Sequence, residues 1–206
     1  MIALVDYGMG NLLSVSKALE AVGGTIEIID DPSAIACADA LILPGVGNFG
    51  DGMGHLRGRG LAPEIIKFVE SGKPFLGICL GMQMLLEESE EAPGMKGLGI
   101  FKGKVKRFPE SGFKVPHMGW NNISIRNEHY CLNNVNEGSY FYFVHSFYAD
   151  PEDKSAIAAS SSYILDFCAA IGKDNVFATQ FHPEKSQNPG LQILRNFVGN
   201  FSKNGD

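Results

Sequence analysis

The sequence predicts an α/β fold: a central, mostly parallel sheet flanked by helices, with antiparallel strands added in the second half. Three observations carry that expectation. Short apolar runs alternate with helix-period segments over the first ~90 residues, the pattern of a parallel sheet with crossover helices. Beyond about residue 95 the texture changes to strand-like segments separated by turns. No linker, repeat or low-complexity stretch interrupts the chain, so residues 1–206 read as one domain.

The elements follow in order. IALV (2–5) is a strand, and DYGMGN turns into a helix capped by Asn11. That helix runs to about Val22, with Leu12, Val15, Leu19 and Val22 on one face. Gly23 and Gly24 stop it. TIEIID is a second strand, residues 32–38 a connector of one or two helical turns, and ALIL (40–43) a third strand. A glycine-rich stretch, PGVGNFGDGMGHLRGRG, follows without a strong helix pattern. A helix is expected from about Pro63 to Ser71, with proline in its first turn. KPFLGI is a fourth strand, leading through Cys79 into a helix over LGMQMLLEES (80–89). KGKVKRF, NNISIRN, SYFYFVHSFYA, SAIAASS, ILDFCAAIG and NVFATQF then read as strands, with KDN (173–175) as a hairpin connection. LQILRNFVGNF (191–201) is the last helix, and the final SKNGD is expected to be disordered.

Bulk properties narrow the function. At 206 residues folding buries roughly 70% of the unfolded chain's surface, enough for a core without disulfide or metal. Hydrophobic residues at 45% and charged residues at 19% are an ordinary globular balance. Seventeen basic against 23 acidic residues give a net charge of −6, and no basic run stands out, which argues against a dedicated nucleic-acid binder. The N-terminus MIALVDYG lacks a basic region and a long apolar run, and no stretch approaches a membrane span. Cys37, Cys79, Cys131 and Cys168 are scattered, without C-x-x-C or zinc spacing. A reducing cytoplasm is expected, with three of the four cysteines as packing residues.

The fourth is Cys79, in GICLG (77–81), where a strand ends and a helix begins. A G-x-nucleophile-x-G turn between strand and helix is a nucleophile elbow. Small neighbours relieve the crowding of the turn, the helix N-terminus favours thiolate, and the Leu80 N–H can meet a developing oxyanion. The competing reading is a small buried filler in a glycine turn. A base then has to be found among His55, His117, His129, His145 and His182. His182 stands just past a strand in ATQFHPEKS, with Glu184 two residues on. Positions two apart in extended chain point the same way, so Glu184 can bond one ring nitrogen while the other faces Cys79, a Cys–His–Glu triad. A solvated surface pair is the alternative. His117 and His145 read by default as hydrogen-bonded structural histidines, and His55 and His129 as surface. LPGVGNFG, after the third strand, sits where ligands bind in such sheets and offers backbone N–H groups; a phosphate cradle is disfavoured because no GxxxxGK[ST] is present.

LPGVGNFG, GICLGMQ and QFHPEKS together make the chain resemble the class I, triad-type glutamine amidotransferases, almost end to end. DYGMGNLLSV, PGVG, KVPHMGWN (114–121) and YFVHSFY (142–148) narrow the likeness to the glutaminase subunits of imidazole glycerol phosphate synthase. The resemblance implies a flavodoxin-like fold in which Cys79 attacks the glutamine amide, His182 relays protons and Glu184 orients it. Val46, Gly47 and Leu80 would supply oxyanion donors. Gln83, Ser146 and Phe147 would hold the substrate; Phe147 stands where many relatives have tyrosine, so a backbone contact survives and a hydroxyl contact does not. The implied partner is a (β/α)8-barrel cyclase subunit, met at Asn11, Trp120, Asn121 and Lys185, which consumes the ammonia in histidine biosynthesis. No metal or other cofactor is implied. Slow hydrolysis by the free chain would follow if the Gly45–Val46 peptide faces away from the oxyanion site. The rivals are a paralogue feeding ammonia to another synthase, a non-catalytic module on the same fold, and a cysteine peptidase; intact Cys79, His182 and Glu184 argue against the second, and Gln83 with the VHSFY motif against the third.

Overall fold

The structure, a computed structural model, describes residues 1–202; most of the SKNGD tail lies outside the described residues. Four strands, β1 (Ile2–Val5), β2 (Ile26–Ile29), β3 (Ala40–Leu43) and β4 (Phe75–Ile78), alternate with helices α1 (Leu12–Ala21), α2 (Pro32–Cys37), α3 (Phe49–Gly58) and α4 (Leu61–Glu70). A one-turn helix, α5 (Leu80–Gln83), follows β4. The second half contributes β5 (Glu88–Ser89), β6 (Gly103–Arg107), β7 (His117–Asn122), β8 (Ser124–Ile125), β9 (Tyr140–His145), β10 (Phe147–Pro151), β11 (Ile157–Ser162), β12 (Asp166–Lys173) and β13 (Val176–Thr179), then α6 (Gln187–Ser202).

The main sheet runs β2-β1-β3-β4-β13-β12-β10-β6-β5, with β11 paired to β12 and β8 to β11. Its first five strands are parallel, and β13, the last of them, comes from the far end of the chain to lie beside β4. From β12 onward the pairing is antiparallel until the edge strand β5. This is the expected flavodoxin-like arrangement. β1, β3 and β4 are buried on both faces, which is why they read as unbroken apolar runs. Ala3, Val5, Leu41, Leu43 and Phe75 pack against Ile35, Met53, Leu56, Ile65 and Phe68 on one side. Ile2, Leu4, Ala40, Ile42, Leu76 and Ile78 pack on the other with Val15, Leu19, Ile193, Leu194 and Phe197. The loops after β1, β3, β4 and β13 therefore meet at one edge of the sheet, where their carboxyl ends lie.

Several elements depart from the sequence expectation. The glycine-rich stretch does form a helix, α3, because Asn48 accepts from Asp51 N–H and buries Phe49, Met53 and Leu56 on one face. The helix after Cys79 stops at Gln83 rather than running to residue 89. The carbonyls that would continue it are taken from elsewhere: Leu98 N–H donates to Met84 O, Phe101 N–H to Leu85 O and Gly99 N–H to Leu86 O. The last helix begins at Gln187, four residues before the apolar periodicity shows, with Pro189 in its first turn. HMGWNN, read only as a motif, is strand β7 and pairs with β9 in a separate two-stranded ribbon. Two side-chain placements also change. Cys37 is exposed rather than a packing residue. His129 is half-buried, stacked on Phe177 at 4.7 Å, and burial pushes its pKa down to about 4. Buried Cys131 and Cys168 fit the packing role, and burial raises both thiols above their usual range.

Candidate active site

Cys79 sits at φ 54°, ψ −106°, a strained conformation for a residue with a side chain. The turn is held because the Cys79 N–H donates to Thr179 O at 2.7 Å, continuing the β4–β13 ladder. The glycines are needed for space. A Cβ on Gly81 would lie 1.9 Å from the Leu43 carbonyl oxygen, and one on Gly77 would lie 3.0 Å from the Ala178 Cβ. With only one turn of helix behind it, the elbow keeps its strained geometry but loses most of the helix-dipole contribution that the sequence suggested.

His182 follows β13 on the strand next to β4, so the ladder itself brings it to Cys79. Its Nδ1 bonds Glu184 Oε1 at 2.8 Å, and both side chains are almost fully buried. Nε2 is buried with no conventional hydrogen-bond partner and faces the sulfur. Burial disfavours the imidazolium, but hydrogen bonding and charge from Cys79 and Glu184 outweigh it, and the His182 pKa is pushed up to about 10. The imidazolium form of His182 is thus favoured at neutral pH.

A cavity of about 260 Å³ opens over this pair. Val46, Gly47, Cys79, Leu80, Gln83, Ser146, Phe147 and His182, all named from the sequence, line it. Gln83 is buried and donates through Nε2 to Phe147 O at 3.0 Å and to Gln180 Oε1 at 3.1 Å. Glu91, Pro116 and Val144 line the cavity too and escaped the sequence reading; His145 also lines it, buried and hydrogen-bonded as expected. Glu91 lies in an acidic run that looks like a solvated helix end; here its Oε2 accepts from Phe49 N–H at 2.8 Å. Tyr7 was also missed: its buried hydroxyl donates to Pro44 O at 2.9 Å, directly under PGVG.

Of the two backbone N–H groups expected from the sequence to meet an oxyanion, one is already bonded. Leu80 N–H donates to Gly45 O at 3.4 Å. In a trans peptide the N–H of Val46 then points the opposite way. In this orientation the Gly45 carbonyl, and not the Val46 N–H, faces Leu80.

The four residues expected at a partner surface behave differently from one another. Trp120 is half-exposed on β7, 6.3 Å from the Tyr142 ring, and Lys185 Nζ lies 5.9 Å over the same ring. Asn11 is exposed and caps α1 through Ser14 N–H. The Asn121 amide is turned inward, donating to Ser162 O at 2.8 Å and meeting His117 Nε2 at 3.3 Å.

With this geometry in place, likeness to known proteins is informative. The class I glutamine amidotransferase family model matches residues 3–201. The chain belongs to that family. Among curated relatives, the imidazole glycerol phosphate synthase subunit HisH of Syntrophotalea carbinolica is 53% identical over 203 residues, covering 96% of this chain and 98% of the relative. HisH of Acinetobacter baylyi is likewise 53% identical, and HisH of Methanothermobacter thermautotrophicus 50%, each over 96% of the chain and 97% or more of its own length. Solved structures repeat the fold at low identity: a glutamine amidotransferase at TM-score 0.75 and 20% identity, covering 97% of this chain and 100% of that one, and PurLQS from Thermotoga maritima at 0.76 and 22%, covering 97% of each. As a class I glutamine amidotransferase, the chain is an enzyme, and none of its described helices is long and apolar enough to cross a membrane.

Proposed function

We propose that this chain, acting as one domain over residues 1–206, is the glutaminase subunit of imidazole glycerol phosphate synthase, a cytoplasmic enzyme of histidine biosynthesis. The observation that carries the reaction is Cys79 strained on its elbow beside an His182 locked to Glu184. Cys79 Sγ attacks the side-chain amide carbon of glutamine. His182 Nε2–H passes its proton to the departing nitrogen, ammonia leaves and a γ-glutamyl thioester remains. Water, deprotonated by the now neutral His182, attacks the thioester and releases glutamate. Leu80 and Val46 N–H groups stabilise both tetrahedral intermediates once the Gly45–Val46 peptide has turned, with Gly47 giving the loop its freedom. Gln83 and the Ser146–Phe147 backbone fit the polar ends of the substrate, and the Glu91 carboxylate on the cavity wall complements its α-ammonium.

The ammonia goes to a (β/α)8-barrel cyclase subunit, which uses it to form imidazole glycerol phosphate and an aminoimidazole carboxamide ribotide. Its docking face supports this reading. On the β7–β9 ribbon, Met118 and Trp120 pair with Val144 and Tyr142 across an outward surface, while His117 and Asn121 face inward. Met118 is 63% exposed and Trp120 48%, a large apolar exposure beside a cavity that Val144 also lines. Trp120 and Lys185, with Asn11 and Asn121 at the margin, are the contacts we assign to the partner. No cofactor is needed for this chemistry.

The test is glutamine hydrolysis by the chain alone and with an equimolar cyclase subunit plus its phosphoribosyl substrate or a product analogue. Strong stimulation is expected. Slow, unstimulated hydrolysis points to a different synthase, and a Cys79→Ala variant as active as wild type overturns the mechanism.

A further inference from the structure

We propose that Gln180 is a further catalytic residue of this site, whose side-chain amide N–H holds the Cys79 sulfur in its thiolate form. The inference rests on Cys79 being the nucleophile. Gln180 lies just past β13 and is completely buried, an unusual place for an amide unless every polar atom has a task. Its Nε2 donates to Cys79 Sγ at 3.8 Å.

The orientation of this amide follows from a chain of partners. The Phe147 carbonyl can only accept, so Gln83 must present its NH2 there, at 3.0 Å. The second hydrogen of the same NH2 then goes to Gln180, at 3.1 Å, and Gln180 must meet it with oxygen. Its nitrogen is left facing the sulfur. The Phe147 carbonyl is pinned from its other side by His145 Nδ1 at 2.8 Å. That bond makes His145 Nε2 an acceptor for His117 Nδ1–H at 3.0 Å, and His117 Nε2 an acceptor for the Asn121 amide. Both rings stay neutral because burial pushes their pKa values down, to about 3 and about 4. The sulfur thus receives a donor whose direction is set by a buried network reaching back to β7, in addition to the charge of His182. A hydrogen bond to the charged form favours that form.

Alkylation of Cys79 by iodoacetamide, followed across pH by peptide mass spectrometry to separate it from exposed Cys37, tests this. The titratable groups around Sγ are His182 with Glu184 behind it, Tyr7 under the PGVG loop, and Glu91 and His145 on the cavity wall. All are present in both proteins compared. Gln180→Met keeps the volume and removes the donor; the titration midpoint should rise by about one pH unit, and the rate at pH values below the wild-type midpoint should fall on the order of tenfold. Gln180→Glu keeps an acceptor for Gln83 and turns an acceptor toward the sulfur, so its midpoint should rise further; it serves if the methionine variant does not fold. A folded variant with the wild-type midpoint and rate overturns the proposal. So does a change confined to a higher KM for glutamine, because a mere prop for Gln83 would not alter a reagent that ignores the glutamine site. If wild-type Cys79 is not labelled, or glutamine does not protect it, the reading of Cys79 itself has failed.

Discussion

Replacing Glu184 by glutamine isolates the contribution of one charge. The side chain keeps its shape and an oxygen able to accept from His182 Nδ1–H, but the buried carboxylate is gone. In the wild type, Cys79 and Glu184 together overcome burial and lift His182 from 6.5 to about 10. An opposite charge in direct contact typically moves a pKa by one to three units. Losing Glu184 should therefore lower the His182 value by about two units, which is ~3 kcal/mol between the two protonation states. The imidazolium that protonates the leaving nitrogen would no longer persist through the alkaline range. The assay is the pH profile of kcat/KM for glutamine, measured with the cyclase subunit and its ligand present. Its alkaline limb should move down by about two units and its plateau fall on the order of 10²-fold. An unmoved alkaline limb in a folded Glu184→Gln protein would refute the assignment of Glu184 as the group that holds the proton on His182.

Gly47 stands at φ +106°, with Met9 Cε 2.6 Å from where a Cβ would be; Gly47→Ala should cut partner-stimulated hydrolysis on the order of 10²-fold, the loss of about one oxyanion donor, while iodoacetamide still labels Cys79 at the wild-type rate. Full stimulation in that variant would mean that the loop does not gate the hole. Gly81→Ala drives a Cβ into the Leu43 carbonyl and should lower the thermal midpoint sharply or abolish the folded protein, read by circular dichroism. Burial depresses His117, His129 and His145, so the unfolded chain binds more protons than the folded one below about pH 6.5. Stability from these groups is complete above that pH and is lost as pH falls toward about 4; urea midpoints measured down this range should decline, and a flat profile contradicts the burial of these rings.

The parts of the fold that were legible are those where local pattern and tertiary burial agree. The strands 2–5, 40–43 and 75–78 are apolar because both faces are covered, and Gly77 and Gly81 mark a turn with no room for side chains. Cys79, His182 and Glu184 were legible from their motifs, although Glu184 reaches His182 through a 3-10 turn over Pro183–Lys185 rather than the extended chain expected. What stayed hidden depended on contacts from distant segments. The helix after Cys79 has ideal helix formers, yet residues 98–101 take its carbonyls. Helix α3 is poor in propensity and forms because its apolar face is buried. Gln180 lies inside QFHPE but carries no sign of its amide's role, which depends on Gln83 from helix α5 and Phe147 from strand β10. The bond from Leu80 N–H to the Gly45 carbonyl is a single peptide orientation, and no residue type encodes it.

Cys79 and His182, the proposed nucleophile and base, follow β4 and β13, neighbours near the middle of the sheet whose ladder pairs Phe75 with Val176 through Ile78 with Thr179. Their separation is fixed by interstrand spacing rather than by loops. Fraying at β2 or β5, the two edges, leaves that spacing intact, so the catalytic pair belongs to the last unit of the protein to open. Amide protons of Phe75–Ile78 and Val176–Thr179 should be among the slowest to exchange with deuterium. On heating, the capacity for the chemistry itself should then disappear with global unfolding, whereas contact with the proposed partner, which we assign to the separate β7–β9 ribbon, is free to fail first.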